Sequence, residues 1–570
     1  MAYKLRDRSQ KRIYFSTSSS DSDSSYSDPD YSRSRQRRPQ NEAKNIEIGS
    51  SSLVRRRGRP IKRRVYGREN QSIEVGESSR GRKQAPYSLK KQDTSVGKPQ
   101  EKKNILSWLI DLGIIKENAE VWYLADNRIR ILLRGMIRRA GIFCLCCNEE
   151  ITVWEFEIHA ASDLNRPYAN IFLAWKLVSL FQCQLEACIM VMGPNQCGFN
   201  QVVPRENAVD RNDDACMICT DGGDLICCDK CPSTFHKDCL RLESVPQEEW
   251  LCPYCICKYC GLLGHGNEEL FTCSQCQKKY HWACSLEEDL DLNTPVAPLS
   301  NQTTLVNSFC GKSCREIFKH LESIAGVRNE VDGGRLSWSL MRLTDLRSAT
   351  PTDNIQKIVE CNCKIGIVWD MMNESFVTTT DRLTNINIVR SVVYNQGSNL
   401  ARINFQRFYT AVLEKDDEIV SAACLRIHGT KVAEIPFVTT HENYRDMGMW
   451  RKLLVAIESA LRFLKVEYLV IPSIDHLVPM WTKKFGFSKV EGSLMNELIF
   501  LNTLMFTKAI RLQKTLLPAH SVKPDGGDNR GKEVDGVSKQ KEETGTSKGR
   551  NVGKLPLFDL NVEPTKEGRK

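Results

Sequence analysis

Between Cys216 and Cys314 lie 15 of the 24 cysteines of this 570-residue chain, many of them in CxxC pairs, with His236 and His281 among them. Zinc takes four soft or borderline ligands at tetrahedral corners, and a CxxC pair on a tight turn supplies two of them without strain. Cys216, Cys219, Cys228, Cys231, His236, Cys239, Cys252 and Cys255 run in the order four Cys, one His, three Cys, which is enough for two ions. The order then repeats as Cys257, Cys260, Cys273, Cys276, His281, Cys284, Cys310 and Cys314, with the last pair spaced CxxxC after a long gap. Four zinc ions are expected, and folding that depends on them, because segments this short bury little core. In a reducing compartment such crowding argues for metal ligands and against disulfides.

This order and spacing, with Trp250 two residues before Cys252 and the run GGDLICCDKC, resembles a PHD finger. The resemblance implies interleaved sites: Cys216, Cys219, His236 and Cys239 on one ion, Cys228, Cys231, Cys252 and Cys255 on the other, with Cys227 spare. It also implies that the histone H3 tail is accepted as an added β-strand along Gly223, Asp224 and Leu225. A trimethyl-lysine reader needs an aromatic cage, and no Trp or Tyr lies between Cys216 and His236. Asp213 and Asp214, just before the first ligand, stand where fingers that prefer the unmodified tail place a carboxylate for its ammonium.

A second centre lies in residues 432–465, where an apolar strand feeds a polar turn and then a helix with Leu453, Leu454, Ile457, Leu461 and Leu464 at helical spacing. A loop containing Arg and Gly that opens a helix suits a pyrophosphate, since the unpaired N–H groups at the helix start point at the anion. A strand at 466–471 and a helix ending in Phe485-Gly486-Phe487 follow. The region resembles the GNAT superfamily. That resemblance implies acetyl-CoA held by Phe437, Val438, Arg445, Asp446, Met447, Gly448, Met449 and Trp450, with Glu434 as the general base that deprotonates a substrate lysine. Two positions depart from the pattern: Trp450 stands where the cofactor loop has a small residue, and Thr482 where many such enzymes have a Tyr as general acid.

The elements around these centres divide the chain. Residues 1–100 are poor in apolar side chains and carry 24 basic against 11 acidic residues, a net of +13, while everything after them sums to −3. Such a segment cannot offset its ordering entropy and reads as a disordered basic arm. Its core Arg57-Gly58-Arg59-Pro60 resembles an AT-hook for AT-rich DNA, and the surrounding RRRGRPIKRR also suits nuclear import. A compact domain is expected over 101–193. Its 141–187 stretch resembles the TOPLESS-binding domain of jasmonate signalling, SAND-like in pattern, and Cys144, Cys146, Cys147 and His159, whose CxCC run lacks the regular pairing of the fingers, are read there as packing residues, with zinc binding as the alternative. A polar linker is expected from 194 to 213. Two fingers follow at 213–256 and 257–325, then the GNAT-like α/β domain at 330–517 and a disordered tail at 518–570. In that tail Asp559, Leu560, Asn561 and Pro564 resemble the plant EAR motif that docks in TOPLESS-type corepressors.

No run of 18 apolar residues occurs, and residues 1–10 lack an apolar stretch after their charges, so a soluble intracellular protein with no membrane partner is expected. The whole order resembles the plant nuclear proteins of the increased-DNA-methylation type, taken as histone H3 acetyltransferases. It implies a nuclear chromatin regulator that reads the H3 tail and acetylates histone lysine with acetyl-CoA. The alternative is a catalytically silent GNAT scaffold that recruits a TOPLESS-type corepressor.

Overall fold

The computed structural model describes residues 6–7, 14–16 and 102–517, except 126–129, 197–198, 205–210, 264–269, 287–306, 349–353 and 377–379. The AT-hook-like residues Arg57 to Pro60 and the EAR-like residues Asp559 to Pro564 lie outside the described residues. No helix among the described residues is long and apolar enough to cross a membrane.

The chain is multidomain. Its first module is an antiparallel sheet in the order Glu150–Ile151, Ile142–Cys144, Ile131–Ile137, Glu120–Leu124, Ile171–Leu173, Val178–Ser179. Helix Val153–His159 follows the outer hairpin and opens with a capping box, in which the Thr152 side chain accepts from the Glu155 N–H and the Glu155 side chain accepts from the Thr152 N–H. Helix Leu180–Gln196 packs on helix Ile355–Ser375 of the C-terminal domain, with Cys188 Sγ 3.6 Å from Cys363 Sγ. Trp108 lies against the bare backbone of Gly366, where a Cβ would come within 2.4 Å of the indole. Leu109, Tyr123 and Phe156 therefore share one buried core with Val368, Met372 and Phe437.

The expected linker at 194–213 is built into the fold in part. Phe199–Asn200 forms a parallel pair with Gly397–Ser398, the Val202 N–H donates to Asn399 Oδ1 at 2.8 Å, and Asn200, Val202 and Asp213 are buried. The linker's described ends are therefore packed against the rest of the chain.

The C-terminal domain is an α/β fold. Its sheet runs Asn329–Val331, Leu336–Met341, Phe408–Lys415, Glu418–His428, Val432–Glu434, Tyr468–Ser473, Ile510–Thr515, Ser488–Lys489. Every neighbouring pair is antiparallel except one: Val432–Glu434 lies parallel to Tyr468–Ser473, in the register Val432↔Tyr468, Ala433↔Leu469, Glu434↔Val470. After one further bond, from the Ile435 N–H to the Val470 carbonyl at 3.0 Å, these strands part. Pro436, with no N–H to donate, stands at the divergence, and Val438–Thr440 pairs back onto Ser421–Ala423. Helix Met449–Phe463 covers one face through Leu453, Ile457 and Leu461, all buried.

Candidate functional sites

The parting of the two strands leaves an apolar cavity of about 260 Å³. Ile435, Pro436, Phe437 and Val438 line one wall and Ile471, Pro472, Ser473 and Ile474 the other. Of the expected cofactor residues, Phe437, Val438 and Trp450 line it, while Arg445, Asp446, Met447 and Gly448 form an exposed turn at the start of helix Met449–Phe463. Gly448 takes φ 76°, Asp446 φ 60°, and no side chain caps the helix. Trp450 packs edge-on against Trp481 at 6.2 Å and Phe485 at 6.4 Å, and so forms an aromatic wall of the cavity. Thr482 stays within its own helix, donating to the Pro479 carbonyl at 3.3 Å.

Glu434 is placed otherwise than expected. Its side chain is 1% exposed and does not line the cavity. Oε1 accepts from Arg426 Nε at 2.7 Å and pairs with His428 Nε2 at 2.8 Å, and Oε2 accepts from the Leu504 N–H at 2.7 Å. Burial pushes its pKa up, but the Arg426 charge, the His428 contact and the Leu504 N–H together bring it down to about 2. Burial holds His428 below its ordinary value, so the ring is neutral and Nε2–H is the donor. A carboxylate with these partners is held as an anion inside the sheet, away from the cavity. A signal in the sequence pointed to this. The turn at Gly429 makes 418–428 and 432–434 a hairpin, which sets Arg426 directly opposite Glu434.

The sixteen expected zinc ligands assemble into four sets, each with its four donor atoms within 4.8 Å of one another: Cys216, Cys219, His236, Cys239; Cys228, Cys231, Cys252, Cys255; Cys257, Cys260, His281, Cys284; and Cys273, Cys276, Cys310, Cys314. Tetrahedral zinc at its usual bond lengths separates ligand atoms by roughly 3.5–3.8 Å. Cys231 and Cys252 stand 3.5 Å apart, Cys276 and Cys310 3.6 Å, and Cys239 Sγ lies 3.8 Å from His236 Nδ1. The donor sets fit zinc. The CxxxC spacing of the last pair has a local cause: Cys314 sits in the first turn of helix Lys312–Ile324, and the helix brings its sulfur to 3.7 Å from Cys310.

In the first finger, Asp224–Cys227 pairs on one side with Thr234–Phe235. Its other edge, expected to take a histone tail, is paired with residues Arg6–Asp7 of this same chain, in the register Arg6↔Leu225 and Asp7↔Asp224. Gly223, at φ 130°, precedes that strand. Asp213 is not at this edge. It is buried, and it accepts from Arg402 Nε at 2.8 Å, while Arg402 Nη1 also reaches Asp381 at 2.5 Å. Asp214 is buried as well. The expectation of a free carboxylate for the tail's ammonium is thus corrected at Asp213, whose charge is matched by Arg402 and joins the finger to the C-terminal domain. Arg402 itself escaped sequence reasoning, because its partner lies 189 residues away.

The family model for the Increased DNA methylation 1 C-terminal domain matches residues 376–515, that for the Tify domain binding domain residues 135–187, and that for the PHD finger residues 216–255. Increased DNA methylation 1 of Arabidopsis thaliana is 36% identical over 428 residues, covering 74% of this chain and 35% of that protein. This chain thus spans about a third of the relative's length. The human autoimmune regulator is 48% identical over 48 residues, 8% of this chain and 9% of that one. Among solved structures, Tetrahymena GCN5 matches at 15% identity and TM-score 0.19, covering 23% of this chain and 75% of that one. The ribosomal-protein-S18-alanine N-acetyltransferase of Escherichia coli matches at 12% and 0.20, covering 28% and 92%. The chain is thus similar to Increased DNA methylation 1 over most of its own length, with matches to the Tify domain binding domain, the PHD finger and that protein's C-terminal domain in that order.

Proposed function

We propose that this protein is a nuclear, chromatin-associated regulator that binds the histone H3 tail through its first finger and uses acetyl-CoA to acetylate a histone lysine. The observation that carries this reading is the cavity between the diverging strands. Its apolar walls suit a pantetheine arm, and the exposed turn Arg445 to Gly448 at the helix start suits the pyrophosphate. A smaller crevice, of about 60 Å³, runs beside it between Thr220 of the first finger and Leu504 to Thr507. Phe506 lines both spaces, which supports a path from a finger-bound tail to the acyl group. Glu434 positions the strand Val432–Glu434 in this proposal and takes no proton.

The test is calorimetric titration of the full chain with acetyl-CoA, beside Trp450→Gly. Binding by the native chain is expected, with Trp450→Gly changing the affinity; no measurable heat from the native chain would overturn the proposal. The second reading, a silent scaffold, is favoured by the closed hydrogen-bonding of Glu434 and by Thr482 in place of a phenol; it requires cofactor binding without acetylation of an H3 peptide, read by mass spectrometry. In either reading the Tify-binding module, with exposed apolar side chains such as Trp175, Leu177 and Ile189, is the docking face for a TOPLESS-type corepressor complex. The basic arm adds affinity for AT-rich DNA.

A further inference from the structure

We propose that the first module holds a fifth zinc ion, bound by Cys144, Cys146, Cys147 and His159. Among the described residues these form a fifth group whose donor atoms all lie within 4.8 Å of one another. Cys144 and Cys147 are themselves a CxxC pair, which the tighter CxCC run obscures.

The backbone is that of the finger turns. In three of those, the N–H of the residue after the second Cys returns to the carbonyl of the first: Thr220 to Cys216 at 2.9 Å, Gly261 to Cys257 at 2.9 Å, Gln277 to Cys273 at 3.0 Å. The closing residue takes a left-handed φ each time, at 63°, 73° and 60°. Asn148 closes the turn after Cys147 in the same way, with its N–H on the Cys144 carbonyl at 2.9 Å and φ 58°. Asn accepts that conformation more readily than most residues. A turn of this form directs the two sulfurs of a CxxC pair to one side.

The histidine is presented alike too. Nδ1 of His236 lies 3.2 and 3.8 Å from Cys219 and Cys239, and Nδ1 of His281 lies 3.4 and 3.7 Å from Cys260 and Cys284. Nδ1 of His159 lies 3.3 Å from Cys146 and 3.8 Å from Cys144. Three thiolates and one imidazole are a usual structural zinc set. His159 is the last residue of helix Val153–His159, and Cys144 the last of strand Ile142–Cys144. The ion therefore pins the outer hairpin of the sheet to the helix that follows it.

Zinc is counted by plasma mass spectrometry on the full chain, purified without chelator. Five ions per chain are expected, falling to four in His159→Gln and in Cys146→Ser. Both side chains are exposed, and retention of four ions shows that the fingers still fold. An equal zinc count in the native chain and both variants overturns the proposal. So does the loss of two titratable thiols from the denatured, unreduced chain at Cys144 and Cys146, whose sulfurs stand 3.1 Å apart, because a disulfide would then replace the metal.

Discussion

Replacing Glu434 with Gln separates a structural anion from a catalytic base. The substitution keeps the shape and removes the charge, leaving the Arg426 guanidinium, itself 2% exposed, without its counter-charge. A fall in pKa from 4.5 to about 2 corresponds to about 3 kcal/mol of folding stability at about 1.4 kcal/mol per pH unit. Breaking a buried ion pair by removing one partner costs about 3–5 kcal/mol, so the two routes agree. The sign follows from the depressed value. The contribution is complete above the unfolded carboxyl's 4.5 and is lost as pH falls from there toward 2, so native and variant chains differ most at neutral pH and converge in acid. The measurement is denaturant-dependent hydrogen exchange of the amides in Val432–Glu434 and Tyr468–Ser473, compared at pH 7 and below pH 4. Arg426→Met combined with Glu434→Gln recovers only part of the loss, because Arg426 also donates to the carbonyls of Asn404 and Asn502. The reasoning is refuted if Glu434→Gln leaves stability at pH 7 within about 0.5 kcal/mol, the range of an ordinary surface change, while abolishing acetylation.

Gly366→Ala drives a methyl into the Trp108 indole and is expected to cost about 1–3 kcal/mol by overpacking, more than the roughly 1 kcal/mol that Ala returns in helix propensity; chemical unfolding reads the difference. Arg402→Met leaves Asp213 and Asp381 buried without their cation, a loss of about 3–5 kcal/mol, and a thermal scan of the full chain with unchanged stability would contradict the pairing. Deleting residues 1–16 frees the edge of Asp224–Cys227 and is expected to tighten binding of an H3-tail peptide severalfold, since a ligand meeting a fractionally available site pays for that fraction; equal affinities by calorimetry would show that the chain's own strand does not compete.

What the sequence made legible is what is local. Cys and His groups declare themselves by residue type and paired spacing, so the four groupings of the fingers were readable, and even the CxxxC departure resolved into one helical turn at Cys314. The strand, Gly-containing turn and helix of 432–463 carry periodicities that survive without knowledge of the rest of the fold. Charge assignments were not legible in the same way, because a carboxylate's role is set by whatever folds against it. Asp213 and Glu434 sit where acidic residues serve histone readers and acetyltransferases, yet Arg402 and Arg426 neutralise them. For Glu434 the partner was within reach of hairpin register; for Asp213 it was not.

The same distinction bears on the first module. Read as a string, Cys144 to Cys147 lacks the regular pairing that marks the fingers, and its fourth member lies on another element. Read as a turn, it repeats their backbone conformation, closing hydrogen bond and histidine geometry. Spacing rules recognise a metal site by regularly paired ligands, even when the pairs lie far apart, and the CxCC run hides the Cys144–Cys147 pair. Where a strand end and a helix end each supply ligands, the capping box at Thr152 fixes the start of the intervening helix and thereby the place of His159, and no ligand pattern in the sequence encodes that.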